Sequence, residues 1–476
     1  MGNSLIKNTT IYALGDIIPK LLGFISFPIL TNFLSPEEYG IVNYVNTINV
    51  FLTTLGFLCL NTYYLVHYYR EKDDYHRKLL LGNLYSFVSI INIFGLIITF
   101  IAGPYLLKHF GSNIDFFPYV AVGIITNFFN LFAVLPCALY RLQEKPLFLT
   151  ILNIVRGSIA FCLTLLLVVK FRFNAIGILI SDMIISITFG MLFMKIAFNN
   201  MVLNINWSQI KIALKFSLPL LPGSLSYFFV SLFDRVLIDK YVGLSALGIY
   251  STASSIALLL NIVSNGAYKS FEPFIFKIYG KKDFNSQINS IYNGYCYILL
   301  LCVLGLSIYS KEFLAIFSGK QFHTAYIYVP PILIGVFCSS INMLFSTIIT
   351  AKGKTKINSL ISIIGGSMSL LFNTILLPKY GIIAATVSSA LSLGTSMSLG
   401  IYFSNIRICY TRTFLSIMIT TMVIYYCVYL NNIESLMSSL LFKSILFLLS
   451  SIVLLYTMEI NILPLLSIFK KNRTNF

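Results

Sequence analysis

Charge is what this sequence has least of. Only 10% of its 476 residues are Asp, Glu, Lys or Arg, and only 16 are acidic. Histidine is also scarce: His67, His76, His109 and His323 stand far apart. These shortages exclude several chemistries. There is no HExxH run, no Walker A loop and no folded loop bearing paired carboxylates. Zinc hydrolysis and ATP turnover by this chain are therefore not expected. Eight cysteines are scattered with no CxxC spacing, seven of them in apolar stretches and Cys409 in a short loop. They read as small apolar packers rather than metal or redox ligands. No cofactor or metal is implied, and the chain does not read as an enzyme. Long polar stretches are missing too. The longest stretch outside the apolar runs is Asn199–Ser217, so no loop is long enough to fold as a domain.

What remains is apolar. The chain is 57% hydrophobic, with a mean hydropathy of +0.85. Apolar runs of about 20 residues recur, each long enough to cross a bilayer as a helix. The pattern predicts an all-α polytopic membrane protein of about 14 spans. They fall near 10–34, 40–66, 79–102, 116–139, 147–169, 176–198, 218–241, 246–271, 288–309, 326–350, 359–377, 381–403, 414–430 and 437–459. The formal net charge of +17 raises the question of nucleic acid. The placement of the basic residues answers it. With the N-terminus inside, 21 of the 33 Lys and Arg fall on the inner side, 7 on the outer side and 5 within spans. That asymmetry is the positive-inside signature and places both termini in the cytoplasm. The first run carries Asp16 and Lys20 and is followed by no small-residue cleavage site, so it reads as a span and not as a cleavable signal.

The two halves resemble each other. Phe33–Ile41 aligns with Tyr241–Ile249 at an offset of 208, and Lys145 and Gly157 align with Lys354 and Gly366 at 209. A duplicated six-helix unit is expected, its repeats related by an axis along the membrane normal. The expected organisation is a bundle over 1–205, a second over 206–410, and two extra spans with a tail over 411–476. Trp207–Phe216 begins the second bundle as a short helix lying in the inner interface, with Lys211 and Lys215 on one face. Ser35-Pro36-Glu37-Glu38 reads as a capping box that starts the second span, with proline at its first turn.

Ionisable groups inside spans are costly and mark functional sites by default. The basic set is Lys20, Arg156, Arg235 and Lys269; the acidic set is Asp16, Asp182, Asp234 and Glu272. Asp16 and Lys20 are four residues apart, so two readings stand: a cation facing a cavity, or a structural pair. Glu272 is likewise placed to pair with Lys269, or both snorkel from near the inner end, and Lys443, on the C-terminal appendix, snorkels or packs. Span 2 carries Asn43, Asn46, Thr47, Thr54 and Asn61 within an arc of about 100°, with Asn49 outside it. Span 8 carries Asn261, Asn265 and Lys269 at four-residue intervals. Such stripes either face a wet cavity or bond helix to helix. Prolines at 19, 28, 219, 222 and 273 allow bends in spans 1, 7 and 8.

These features together resemble a family. They are the Ile6-Lys7-Asn8-Thr9-Thr10 opening, the span with Asp16 and Lys20, the Phe33–Ile41 loop, the Phe216–Gly223 entry followed by Asp234-Arg235, and the Gly243–Tyr250 and Gly353-Lys354 stretches. The chain is similar to the Wzx-type O-antigen and capsular polysaccharide flippases of the multidrug/oligosaccharidyl-lipid/polysaccharide exporter superfamily. The resemblance implies fourteen helices around a central cationic cavity, and a polyprenyl-pyrophosphate-linked oligosaccharide moved from the inner to the outer leaflet of the bacterial cytoplasmic membrane. It carries the cavity role onto Lys20, Arg156, Arg235 and Lys269; sugars need polar partners of the kind the stripes offer at Asn43, Asn46, Asn261 and Asn265. Asp16, Asp182 and Asp234 become candidate ion carriers. A polysaccharide polymerase and assembly proteins would be partners. Two other classes compete. A cation or drug exporter of the same superfamily would want a net acidic cavity. A membrane glycan polymerase or ligase would want a large catalytic outer loop, and the longest here is Ser310–Ala325.

Overall fold

In hydrocarbon every backbone N–H and C=O must find a partner within the protein, and helices do this within one segment. The computed structural model describes residues 2–458 apart from 72, 111, 144, 282, 407–409 and 431–435, and no strand occurs among them. The chain divides into two compact units. The first comprises 1–255, 314–325 and 359–392; the second comprises 256–313, 326–358 and 393–476.

The first unit opens with α1 (Gly2–Phe33), α2 (Pro36–Phe57), α3 (Leu60–His67) and α4 (Asp74–Phe110). It continues through α5 (Ala121–Leu131), α6 (Val134–Leu142), α7 (Pro146–Leu165) and α8 (Asn174–Asn200). Then come α9 (Trp207–Ser217), α10 (Leu221–Ser231), α11 (Phe233–Tyr241) and the first turns of α12 (Leu244–Ile278). The capping box at Ser35 forms as the sequence requires. Ser35 Oγ accepts from the Glu38 N–H at 3.2 Å, and the Glu38 carboxylate accepts from the Ser35 N–H at 2.8 Å. The connector helix α9 is amphipathic: Ile210, Ala213 and Ser217 are buried while Trp207, Lys211, Ile212 and Lys215 are exposed. Asn206 caps it through its side-chain oxygen. Asn83 fixes the connector by donating to Gln209 Oε1 at 2.5 Å and accepting from the Asn206 N–H at 2.9 Å.

One contact reproduces the repeat seen in the sequence. A Cβ placed on Gly40 would lie 2.1 Å from the Leu244 carbonyl oxygen, and one on Gly248 would lie 1.8 Å from the Pro36 carbonyl oxygen. Residues 36 and 40 correspond to 244 and 248 at the offset of 208, so the contact is reciprocal. Only glycine lets α2 and α12 approach backbone to backbone here.

The second unit contains the rest of α12 and α13 (Phe284–Ile308), followed by the first half of α14 (Ser310–Phe317), up to Phe313. It also holds α15 (Val329–Ala351), the later part of α17 (Ile382–Ser404), α18 (Tyr410–Tyr425) and α19 (Leu436–Thr457). The helix α16 (Thr355–Tyr380) belongs mainly to the first unit. Buried hydroxyls stitch the second unit together: Ser264 Oγ meets Tyr295 Oη and Ser340 Oγ, each at 2.7 Å. Ser310–Ala325, expected as an outer loop, is helical for most of its length.

Among the described residues eleven segments are long and apolar enough to cross a membrane, or twelve if the bent pair Pro36–Phe57 and Leu60–Arg70 counts as one span. The expected count of about fourteen is not confirmed, and the differences lie in three spans. The first is the continuous helix α1, of which the stretch with described side chains is Ile17–Phe33. The second bends by 50° where Leu58 and Cys59 take positive φ. The seventh is divided into a 3-10 turn at 218–220, α10 and α11, where Pro219 and Pro222 remove backbone donors. The breaks thus fall in spans 2 and 7, which carry in-span asparagines, prolines or charges.

Candidate functional site

Helix α1 packs along α7 within the first unit. Gly15 admits Thr150, and a Cβ on Gly157 would lie 3.0 Å from Pro19 Cβ. That close packing brings Lys20 of α1 and Arg156 of α7 to one cavity. The cavity has a volume of about 620 Å³, within the range of about 300–1,000 Å³ usual for small-molecule sites. Helices α1, α2, α5, α7 and α8 wall it, and Lys20, Asn46, Arg156 and Asp182 all line it. These four sequence candidates therefore meet. Two cations face one carboxylate among the described residues, so the formal balance there is positive.

Arg156 is held by a neutral group. Arg156 donates to Asn130 Oδ1 at 2.5 Å, and the same oxygen accepts from Ser186 Oγ at 3.1 Å. Among the described residues neither Lys20 nor Arg156 makes a salt bridge. The side chain of Asp16 lies outside the described residues, so the expected Asp16–Lys20 pair does too. Five asparagines line the cavity: Asn46, Asn49, Asn127, Asn130 and Asn153. Thr53 donates to Asn127 Oδ1 at 2.5 Å.

The cavity face of α2 is Asn46, Asn49 and Thr53. The other members of the expected stripe turn elsewhere. Asn43 donates to the Tyr39 carbonyl at 2.9 Å, Thr47 to that of Asn43 at 2.8 Å, and Thr54 to that of Val50 at 2.9 Å. Asn61 lies beyond the bend, on α3. The arc drawn over one straight helix missed this, because the bend removes its far end. Asn127, Asn130 and Asn153 escaped notice for another reason: each is an isolated polar residue in its span, and only tertiary packing gathers them.

Asp234 and Arg235 sit in a separate cluster on α11. Asp234 is buried and accepts a short hydrogen bond from Tyr250, one from Ser389 Oγ at 3.3 Å, and one from the Arg235 N–H at 2.8 Å. The Arg235 Nε is buried without a hydrogen-bond partner among the described residues. Asn261, Asn265 and Lys269 follow one another along the part of α12 in the second unit. There Asn265 donates to the Asn261 carbonyl at 2.8 Å, and Glu272 accepts from Tyr268 Oη at 2.8 Å. Among the described residues no cluster of three or more His, Cys, Asp or Glu is placed to hold a metal.

Comparison with known proteins gives this geometry a context. The family model described as "Polysaccharide biosynthesis protein" matches residues 5–279, and the model described as "MatE" matches 219–375. The capsular polysaccharide biosynthesis protein CapF of Staphylococcus aureus is 23% identical over 421 residues, covering 84% of this chain and 99% of that protein. Among solved structures, the lipid II flippase MurJ in an inward closed conformation superposes with a TM-score of 0.75 at 14% identity, covering 94% of this chain and 98% of that one. An inward-facing multidrug resistance MATE family transporter superposes with a TM-score of 0.64 at 12% identity, covering 83% and 97%.

Proposed function

Because the chain belongs to the polysaccharide biosynthesis protein family, we propose that this multi-pass membrane protein is a lipid-linked oligosaccharide flippase. Its substrate is a polyprenyl-pyrophosphate-linked repeat unit, moved from the inner to the outer leaflet of the bacterial cytoplasmic membrane for O-antigen or capsule assembly. One observation carries the reading: a cavity of about 620 Å³ lined by Lys20 and by Arg156, which bonds the neutral Asn130, among five asparagines. A pyrophosphate leaving water needs Arg or Lys partners. A cation already neutralised by a carboxylate would not supply one. Amide groups are suited to sugar hydroxyls, which both donate and accept.

In this reading Lys20 and Arg156 take the pyrophosphate, Asn46 and its neighbours take the sugars, and Arg235, Lys269, Asn43, Asn261 and Asn265 serve the remainder of the path. Repeats over 1–205 and 206–410 alternate access, with 411–476 as an appendix; the reciprocal contact of Gly40 and Gly248 supports the duplication. Asp16, Asp182 and Asp234 are the candidates for coupling to an ion. Both termini are cytoplasmic, which the inner excess of Lys and Arg supports. A membrane potential negative inside assists the anion outward by about 2.3 kcal/mol per charge per 100 mV. A polymerase and assembly proteins take the product.

The test is genetic and chemical together. Cells lacking the protein should keep assembling the lipid-linked repeat, hold it in the inner leaflet and lose surface polymer. A repeat unit that still reaches the outer leaflet, with only polymer length altered, would point to a polymerase instead.

A further inference from the structure

Two further cavities adjoin the polar one inside the first unit, and they change in character with distance from Lys20. The nearer has a volume of about 230 Å³ and shares Asn127 with the cation cavity. The farther has a volume of about 420 Å³ and shares Leu52, Thr99 and Ile124 with the nearer one. Its walls come from α2, α4, residues 116–124, α10 and α11, and they include Ile48, Phe51, Leu106, Phe116, Phe228 and Phe233. No charged side chain and no amide lines it. Of its hydroxyls, Thr47 and Thr99 already donate to carbonyls of their own helices, at 2.8 Å each. Sugar or phosphate placed there would lose hydration without replacement.

We propose that this apolar cavity seats the part of the carrier's isoprenoid chain nearest the pyrophosphate. The inference rests on the reading of the Lys20 cavity as the head-group site, and extends it to the lipid. Polar and apolar compartments follow one another along α5, from Asn130 through Asn127 to Ile124, while on α2 they take different residues of the same turns, Asn46 and Asn49 in the polar cavity and Ile48 and Phe51 in the apolar one. That order matches a ligand with an anionic sugar-bearing end joined directly to a hydrocarbon chain. The helix α4 leaves room for it: a Cβ on Gly95, which lines the middle cavity, would meet nothing within 4 Å. The chain thus has a seat inside the protein while the head is held, and head and tail are recognised together.

Photolabelling of the full-length protein in vesicles tests this. The probe is a pyrophosphate-linked N-acetylglucosamine on a polyprenyl chain with a diazirine in its first isoprene units. A phosphatidylethanolamine with a diazirine in its acyl chain is the comparison. The polyprenyl probe should label peptides spanning 44–52, 99–110 or 228–236, and excess phosphatidylethanolamine should not compete. Thr99→Phe, which fills the junction of the two cavities, should cut this labelling at least about tenfold. Gly95→Leu, with open space around it, should do the same and serves if Thr99→Phe does not fold. Equal labelling of these peptides by the phospholipid probe overturns the inference, as does labelling that both variants leave unchanged. The head-group reading is scored separately: a soluble sugar pyrophosphate must displace the polyprenyl probe from wild type but not from Lys20→Ala. If it displaces neither, the reading beneath the inference fails.

Discussion

Two regions of this molecule treat an intramembrane lysine in opposite ways. In the second unit Lys443 of α19 is 2% exposed and donates to Glu312 Oε1 of α14 at 2.6 Å, with Ser439 Oγ on the same oxygen at 3.3 Å. The charge is neutralised and closed off. In the first unit Lys20 is exposed to a cavity, and Arg156 beside it bonds a neutral asparagine. Both arrangements solve the problem of a cation in hydrocarbon. The closed pair consumes its charge in holding helices together, whereas in the proposed reading the cavity keeps its charge available for an anion that arrives and leaves. On that reading the difference between the two regions separates structural charge from functional charge.

The largest expected effect comes from breaking the closed pair. Lys443→Ala leaves the Glu312 carboxylate buried alone and should cost about 3–5 kcal/mol. Thermal unfolding in detergent reads this, and Lys443→Met with Glu312→Leu should return most of the loss. Transport per folded molecule should not change in either variant. The next step converts the cavity into the other kind of region. Asn130→Asp sets a carboxylate against Arg156 and should lower transport about tenfold by consuming the charge. Its unfolding midpoint should stay near wild type, which separates lost availability from lost folding. The smallest effect sharpens the same contrast away from both lysines. Ser35→Ala opens the capping box and should cost about 1 kcal/mol of stability, with transport per folded molecule unchanged.

How much of this was legible beforehand depends on the range of the interaction. Eleven spans follow from apolar run length alone, and the capping box follows from four consecutive residues. Lys20, Arg156 and Asp182 stand out because charge is rare in such runs. The breaks in spans 2 and 7 are less visible. Leu58 and Cys59 carry no turn signature, yet both take positive φ. Lys443 looked like a residue that snorkels or packs, and packing holds. Its partner Glu312 belongs to a stretch expected as a loop, 131 residues away in the chain. Asn130 is the instructive case. It belongs to no stripe, and its importance comes from Arg156 and Ser186 reaching it from two other helices. Long-range pairing of single polar residues leaves no periodic trace in a sequence.

The central claim is that Lys20 offers its charge to the substrate and does not spend it within the protein. Measuring flipping of a lipid-linked oligosaccharide by a Lys20 series, at matched protein levels in the membrane, tests this most directly. Lys20→Arg should keep substantial activity. Lys20→Ala should lose about tenfold to a hundredfold, the range of one hydrogen bond to a charged group. Lys20→Glu should be worst. The decisive member is Lys20→Gln combined with Asp16→Asn, which leaves neither charge of that turn alone. The account predicts that this double variant stays inactive. Full flipping by it, at normal levels, would contradict the account and make Lys20 a structural partner like Lys443.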